Sequence, residues 1–149
     1  MNFSHKKFTN LGIGWNERPL TETDFYKLCR KHKITAEEIP LTVSGFYYCV
    51  MGKHFIAIDT KLSPAKKLFV MFHEFAHFLM HAPNYNETAS FHGVGNQTRK
   101  EREADAFALV ALIPKIWLET RTPDELIADE GITADMLRDR VELLRRHGL

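Results

Sequence analysis

The sequence predicts an α+β fold in which helices pack around an antiparallel hairpin. Three stretches predict it. Val43-Ser-Gly-Phe-Tyr-Tyr-Cys-Val50 and His54-Phe-Ile-Ala-Ile-Asp59 are rich in aromatic and β-branched residues, and the Met51-Gly52-Lys53 link joins them as a hairpin. Leu68–His81 is an apolar run at helical length, interrupted by histidines and a glutamate. Arg99–Ile113 is a second strong helix, ended by Pro114.

In chain order, residues 1–20 carry Gly12, Gly14 and Pro19 without clear periodicity and read as an irregular lead-in. Thr21-Glu-Thr-Asp24 starts a helix with Phe25, Leu28 and Cys29 on one face. Ala36-Glu-Glu-Ile39 reads as one short turn before Pro40. The hairpin then leads into the Leu68–His81 helix, which Ser63-Pro64 caps at its start and Pro83 blocks past its end. Residues 82–98 are polar, contain glycine and lack periodicity, as a loop leaving the end of that helix would.

The tail has its own punctuation. Thr122-Pro-Asp-Glu125 is a capping box with proline at the first helical position, Gly131 ends that short helix, and Thr133 begins another that stops at Gly148. Helix, glycine turn, helix is the outline of a helix-turn-helix, and Arg138, Arg140, Arg145 and Arg146 offer phosphate contacts. Asp135, Asp139 and Glu142 share the same helix, however, and its Leu/Val stripe suits packing, so structural helices are the stronger reading. The expected organisation is a domain over residues 1–114, with residues 115–149 as a helical C-terminal extension packed on it.

With 149 residues and a net charge of +1, the chain has length for one core and no field that would attract nucleic acid or a membrane. No apolar run is long and charge-free enough for a bilayer, and the first residues lack a signal-peptide core; a cytoplasmic protein is expected. Cys29 and Cys49 show neither zinc spacing nor a disulfide framework and read as buried thiols.

The chemistry lies in Phe72-His-Glu-Phe-Ala-His77. His73 and His77 are four apart, so on a helix both imidazoles leave one face about 40° apart, with Glu74 rotated by about 100° from His73. This is the H-E-x-x-H spacing, in which two neutral imidazoles bind zinc and the glutamate handles the proton of an attacking water. The neighbouring residues are Phe, Ala, Leu, Met and Val, so the helix is expected to be buried nearly all round. A buried His and Glu need a reason, and a metal is the most economical one. The competing reading is a core helix with hydrogen-bonded histidines.

A hydrolytic zinc site takes three protein ligands plus water, and two histidines with a glutamate is a standard set. Glu101 and Asp105 are four apart on the second helix. Glu101 can supply the third ligand while Asp105 accepts the N–H of a zinc-bound imidazole and fixes its tautomer. Glu103 lies about 200° round from Glu101 on a regular helix, so both cannot face the metal. Glu101 is preferred, but a Thr98–Glu101 capping box would occupy it and leave Glu103 as the ligand. His81, one turn past His77, is a poor third ligand from a straight helix and reads as packing or as support to a ligand. In the 82–98 loop, Tyr85 and His92 could donate to a developing oxyanion.

Phe72-His-Glu-Phe-Ala-His-Phe-Leu-Met-His81, Glu101-Arg-Glu-Ala-Asp-Ala-Phe-Ala108 and Leu112-Ile-Pro114, preceded by Gly45-Phe-Tyr and Phe55-Ile-Ala-Ile-Asp59, resemble the ImmA/IrrE family of metallopeptidases over residues 40–114. The resemblance implies a zincin-like (gluzincin) core of helices on a small antiparallel β-sheet, with His73, His77 and Glu101 as ligands and Glu74 as base. It also implies a cytoplasmic regulatory endopeptidase, linked to phages, mobile elements or stress, that cleaves a helix-turn-helix repressor. Asp105 stands where family members often carry Asn, which brings the motif nearer the Glu-x-x-x-Asp form of other gluzincins.

The expected protein is therefore a zinc metallo-endopeptidase with one Zn2+, or another divalent metal, per chain. Its partner is a protein substrate; membrane association and direct DNA binding are not expected. The alternative is a metal-containing regulatory module without hydrolytic activity that binds a transcription factor or DNA.

Overall fold

The computed structural model describes Phe8, residues 11–81 and residues 98–149. Among these residues run α1 (Glu22–Lys31), β1 (Ile34–Ile39), β2 (Gly45–Val50), β3 (Lys53–Asp59), α2 (Pro64–His81), α3 (Arg99–Leu112), α4 (Lys115–Thr120), α5 (Pro123–Glu130) and α6 (Ala134–His147). The fold is α+β, and no described helix is long and apolar enough to cross a membrane. The described residues form two compact units, one within residues 21–108 and one within residues 1–20 together with 109–149.

In the first unit Thr21 and Asp24 form a reciprocal capping box at the start of α1, and Phe25, Leu28 and Cys29 are buried along one face. Lys33, with φ 58°, turns the chain directly into β1. The sheet order is β1-β3-β2. β2 runs antiparallel to β3, with Gly45 opposite Ile58 and Val50 opposite Lys53, and the Met51-Gly52 turn has φ of 52° and 76°. Positive φ at both central residues is what a tight hairpin needs to match strand twist.

The sheet is mixed rather than wholly antiparallel, because β1 lies parallel to β3 with Ile34 opposite His54 and Ile39 opposite Asp59. Ala36-Glu-Glu-Ile39 is thus strand, not a short turn. Its composition is poor for β structure, but pairing with β3 supplies the ladder, and Glu38 finds polar partners in Tyr26 and Lys67.

Helix α2 packs on β2 and β3, and α1 packs on β1 and α2; the Phe25 and Phe72 rings meet edge-on at 6.0 Å. The approach of β2 to α2 depends on Gly45. A Cβ there would lie 2.7 Å from Val70 Cγ1 and 2.8 Å from the Ala57 carbonyl oxygen, so only glycine lets the strand start this close to the helix.

In the second unit Phe8, Leu11, Trp15 and Leu20 are buried with Leu109–Ile113, Leu126, Ile132, Leu137 and Leu149. Asn16 accepts from the Lys115 amide at 2.9 Å and donates to the Leu149 carbonyl at 2.7 Å. Thr122 and Thr133 cap α5 and α6, and Gly131 and Gly148 close them with φ of 67° and 70°. Arg140 is not a surface residue. It is fully buried and donates to the carbonyls of Ile113 and Leu149 at 2.6 and 2.7 Å and to Asn16 Oδ1 at 3.0 Å. Burial lowers its pKa to about 10. The other arginines of α6 are paired on the helix itself: Arg138 with Asp135 and Asp139, Arg145 and Arg146 with Glu142.

Candidate metal centre

Helix α2 contributes His73, Glu74 and His77, all fully buried, and α3 contributes Glu101, 4% exposed. The helical repeat sets the two imidazoles one above the other, with their Nε2 atoms 3.2 Å apart. The Glu101 carboxylate spans the pair, one oxygen to each ring: Oε2 is 3.0 Å from His73 Nε2 and Oε1 is 2.9 Å from His77 Nε2. Four ligands about 2.0–2.1 Å from a tetrahedral ion stand roughly 3.3 Å from one another. The two Nε2 atoms and the Glu101 carboxylate are therefore spaced about as the protein ligands of such an ion are, and His73, His77 and Glu101 could hold a metal.

At the start of α3, Thr98 Oγ1 accepts from the Glu101 amide at 3.2 Å, and the Glu101 carboxylate lies against both histidines. Glu103 points elsewhere, with Oε2 3.2 Å from His81 Nε2 and Oε1 accepting from Arg99 Nε at 2.9 Å. Asp105 stands beside the centre: Oδ1 lies 2.7 Å from His73 Nδ1, a close contact that falls short of good hydrogen-bond alignment. His81 is not one of the clustered residues; its Nδ1 lies 3.0 Å from His77 Nδ1. Tyr85 and His92 lie outside the described residues, as does Pro83.

Electrostatically the site is costly. Burial raises Glu74 well above the usual carboxylate range, the charges of Glu101 and Asp105 push the same way, and the Tyr47 main chain opposes them. Among the described residues neither Glu74 oxygen has a hydrogen bond of good geometry. Glu101 is also raised, chiefly by burial, with His73 pulling it back. His81 is lowered, chiefly by burial, although Glu103 acts to raise it. Two buried carboxylates facing two imidazoles make an arrangement that a divalent cation would compensate.

The IrrE N-terminal-like domain, a peptidase family model, matches residues 29–139. The chain belongs to the ImmA/IrrE peptidase family. No curated protein and no solved structure matches it. Peptidases of the ImmA/IrrE family are metallopeptidases, which accords with a buried His73-His77-Glu101 cluster in this chain. The matched span covers β1, the hairpin, both site helices and most of the C-terminal helices.

Two relationships could not be read from spacing. One is the contact of Glu103 with His81, since both residues carried other readings and sit on different helices. The other is the Tyr47 main chain against Glu74, which depends on how closely Gly45 lets β2 approach α2.

Proposed function

We propose that this protein is a zinc-dependent endopeptidase in which His73, His77 and Glu101 hold the metal and Glu74 is the general base. The observation that carries the reading is the buried cluster of His73, His77 and Glu101, with the two Nε2 atoms 3.2 Å apart and a Glu101 oxygen 2.9–3.0 Å from each, beside the fully buried Glu74 carboxylate on the same helix as the histidines. Zinc held there supplies a Lewis acid that lowers the pKa of a water and polarises the scissile carbonyl.

The chain's own residues do the rest. Glu74 takes a proton from the attacking water and returns it to the leaving amine. Among the described residues no well-aligned hydrogen bond ties up the carboxylate, which leaves it available for that exchange. Asp105 holds the Nδ1 side of His73, which keeps Nε2 toward the metal. Among the described residues β2 pairs with β3 along one side only, and its other side is an edge on which a substrate chain can lie extended through main-chain hydrogen bonds. Tyr85 and His92 are proposed donors to the developing oxyanion.

The substrate is a cytoplasmic regulatory protein, with a helix-turn-helix repressor the favoured class on the family resemblance. The test is to incubate the zinc-loaded protein with a purified helix-turn-helix repressor and follow the products by mass spectrometry. Discrete cleavage, absent in Glu74→Gln although that variant keeps its zinc, supports the reading. Full cleavage by Glu74→Gln would remove the mechanism, and an uncleaved repressor would remove the substrate class.

A further inference from the structure

His77 and His73 reach the same centre but are backed differently. Behind His73, at Nδ1, stands a carboxylate, that of Asp105 at 2.7 Å. Behind His77 stands another imidazole: its Nδ1 is 3.0 Å from His81 Nδ1. Beyond that ring the line continues, with His81 Nε2 3.2 Å from Glu103 Oε2 and Glu103 Oε1 accepting from Arg99 Nε at 2.9 Å. Each link is a helical neighbour or a contact between helices. His77 and His81 are one turn apart on α2, Arg99 and Glu103 one turn apart on α3, and the His81–Glu103 contact joins the two.

Proton placement along this line is constrained. Two ring nitrogens facing each other at 3.0 Å need one hydrogen between them, so one donates and the other accepts. If His77 presents a bare Nε2 to a metal, its proton is on Nδ1, and His81 must accept with Nδ1. His81 then carries its own proton on Nε2, where Glu103 accepts it. A carboxylate has only acceptors, so Glu103 enforces the sense of the whole line from its far end. Arg99, 71% exposed, ties the other Glu103 oxygen, while His81 is 6% exposed and Glu103 18%.

We propose that His81 and Glu103 are positioning residues that fix the tautomer and ring orientation of His77, so that its Nε2 is the atom offered to the metal. Without Glu103, His81 is free to carry its proton on Nδ1. Two N–H groups would then meet at 3.0 Å, and His77 would have to rotate or give up its ligating tautomer. This rests on the reading of His77 as a ligand. It assigns to Glu103 a role in metal affinity without contact with the metal.

The test is zinc affinity, measured by competition with a chromophoric chelator, for the wild type, Glu103→Ala, Glu103→Gln and His81→Phe. It is paired with long-range ¹⁵N–¹H spectra of the histidine rings in the zinc-loaded wild type. The expected result is a roughly tenfold or greater loss of affinity in Glu103→Ala and His81→Phe. Glu103→Gln, whose amide oxygen still accepts, should stay within about threefold of the wild type. The spectra should place the proton of His81 on Nε2 and that of His77 on Nδ1, a signature that packing alone does not set.

Wild-type affinity retained in folded Glu103→Ala would overturn the positioning role while leaving the metal site intact. A His81 proton on Nδ1 would overturn it even if the variants failed to fold. A wild type that binds no zinc would take down the metal reading and this inference together.

Discussion

Asp105 Oδ1 lies 2.7 Å from Nδ1 of His73, whose Nε2 is in turn 3.0 Å from Glu101 Oε2. The same imidazole is thus held between a carboxylate from each end of one turn of α3, since Glu101 and Asp105 are four residues apart. Removing Asp105 leaves the Glu101 contact in place but frees the ring to turn. Asp105→Ala should weaken zinc binding about 10- to 100-fold, and Asp105→Asn, which keeps an acceptor oxygen, should weaken it less. Equilibrium competition with a chelator measures both; equal affinities for wild type and Asp105→Ala would mean that the contact does not orient the ring.

Glu101 and Glu103 are two residues apart and do different things. Only Glu101 meets both histidines, at 3.0 and 2.9 Å. At saturating zinc, metal content by mass spectrometry should be about one ion per chain in the wild type and in Glu103→Ala. It should fall to near zero in Glu101→Ala after desalting. Retained stoichiometry in Glu101→Ala would show that a different group completes the site.

Much of this centre could be read from short-range spacing, because His73, Glu74 and His77 sit on one helix whose repeat fixes their relative directions. The hairpin was legible for the same reason: strand composition and the Met51-Gly52 turn are local. β1 was not, since Ala36, Glu37 and Glu38 have no strand preference and are held by pairing with β3, a partner beyond the intervening β2. Arg140 misled in the opposite way. Periodicity and charge placed it among solvent-facing arginines, yet acceptors from Asn16, Ile113 and Leu149 make its burial tolerable. Spacing left Glu101 and Glu103 as alternatives, because it is the approach of α3 to α2 that sets Glu101 against His73 and His77 and Glu103 against His81.

Arg140 should accordingly behave as a structural residue. Arg140→Ala takes the side-chain donor from the Ile113 carbonyl and one of two donors from both the Leu149 carbonyl and Asn16 Oδ1, which keep Asn16 Nδ2 and the Lys115 amide, and it opens a cavity besides. A loss of about 3 kcal/mol or more in unfolding free energy is expected, read by denaturant titration. Arg140→Lys should recover only part of it, because one ammonium cannot reproduce a planar fork that reaches three acceptors. Full stability of Arg140→Lys would mean that charge alone matters there.

Gly45→Ala tests how β2 is seated on α2. Its Cβ would meet Val70 Cγ1 at 2.7 Å and the Ala57 carbonyl at 2.8 Å, and the second is main chain inside a paired strand, which cannot yield cheaply. A destabilisation of about 1–3 kcal/mol is expected. Val70→Ala added to it should recover only the part due to the Val70 methyl. Thermal unfolding of the three variants separates the contributions, and a fully rescued double variant would show that the Ala57 contact is harmless.

The last prediction concerns pH and lies away from the metal centre. The Glu38 carboxylate accepts from the Tyr26 hydroxyl and, at 3.0 Å, from Lys67 Nζ, joining α1, β1 and α2. The Tyr26 bond first, then Lys67, hold its pKa below the ordinary 4.5, with burial opposing. The charged form is therefore favoured more in the folded than in the unfolded chain. Its stabilisation is complete above the unfolded value and is lost as pH falls through the lower folded value. Glu38→Gln should cost about 1–2 kcal/mol at pH 7. The difference from wild type should shrink steadily below about pH 4.5, as the wild-type carboxyl itself becomes neutral. Urea titrations at several pH values between 7 and 3 follow the gap. A gap that stays constant through that range would mean that Glu38 contributes through packing and not through its charge.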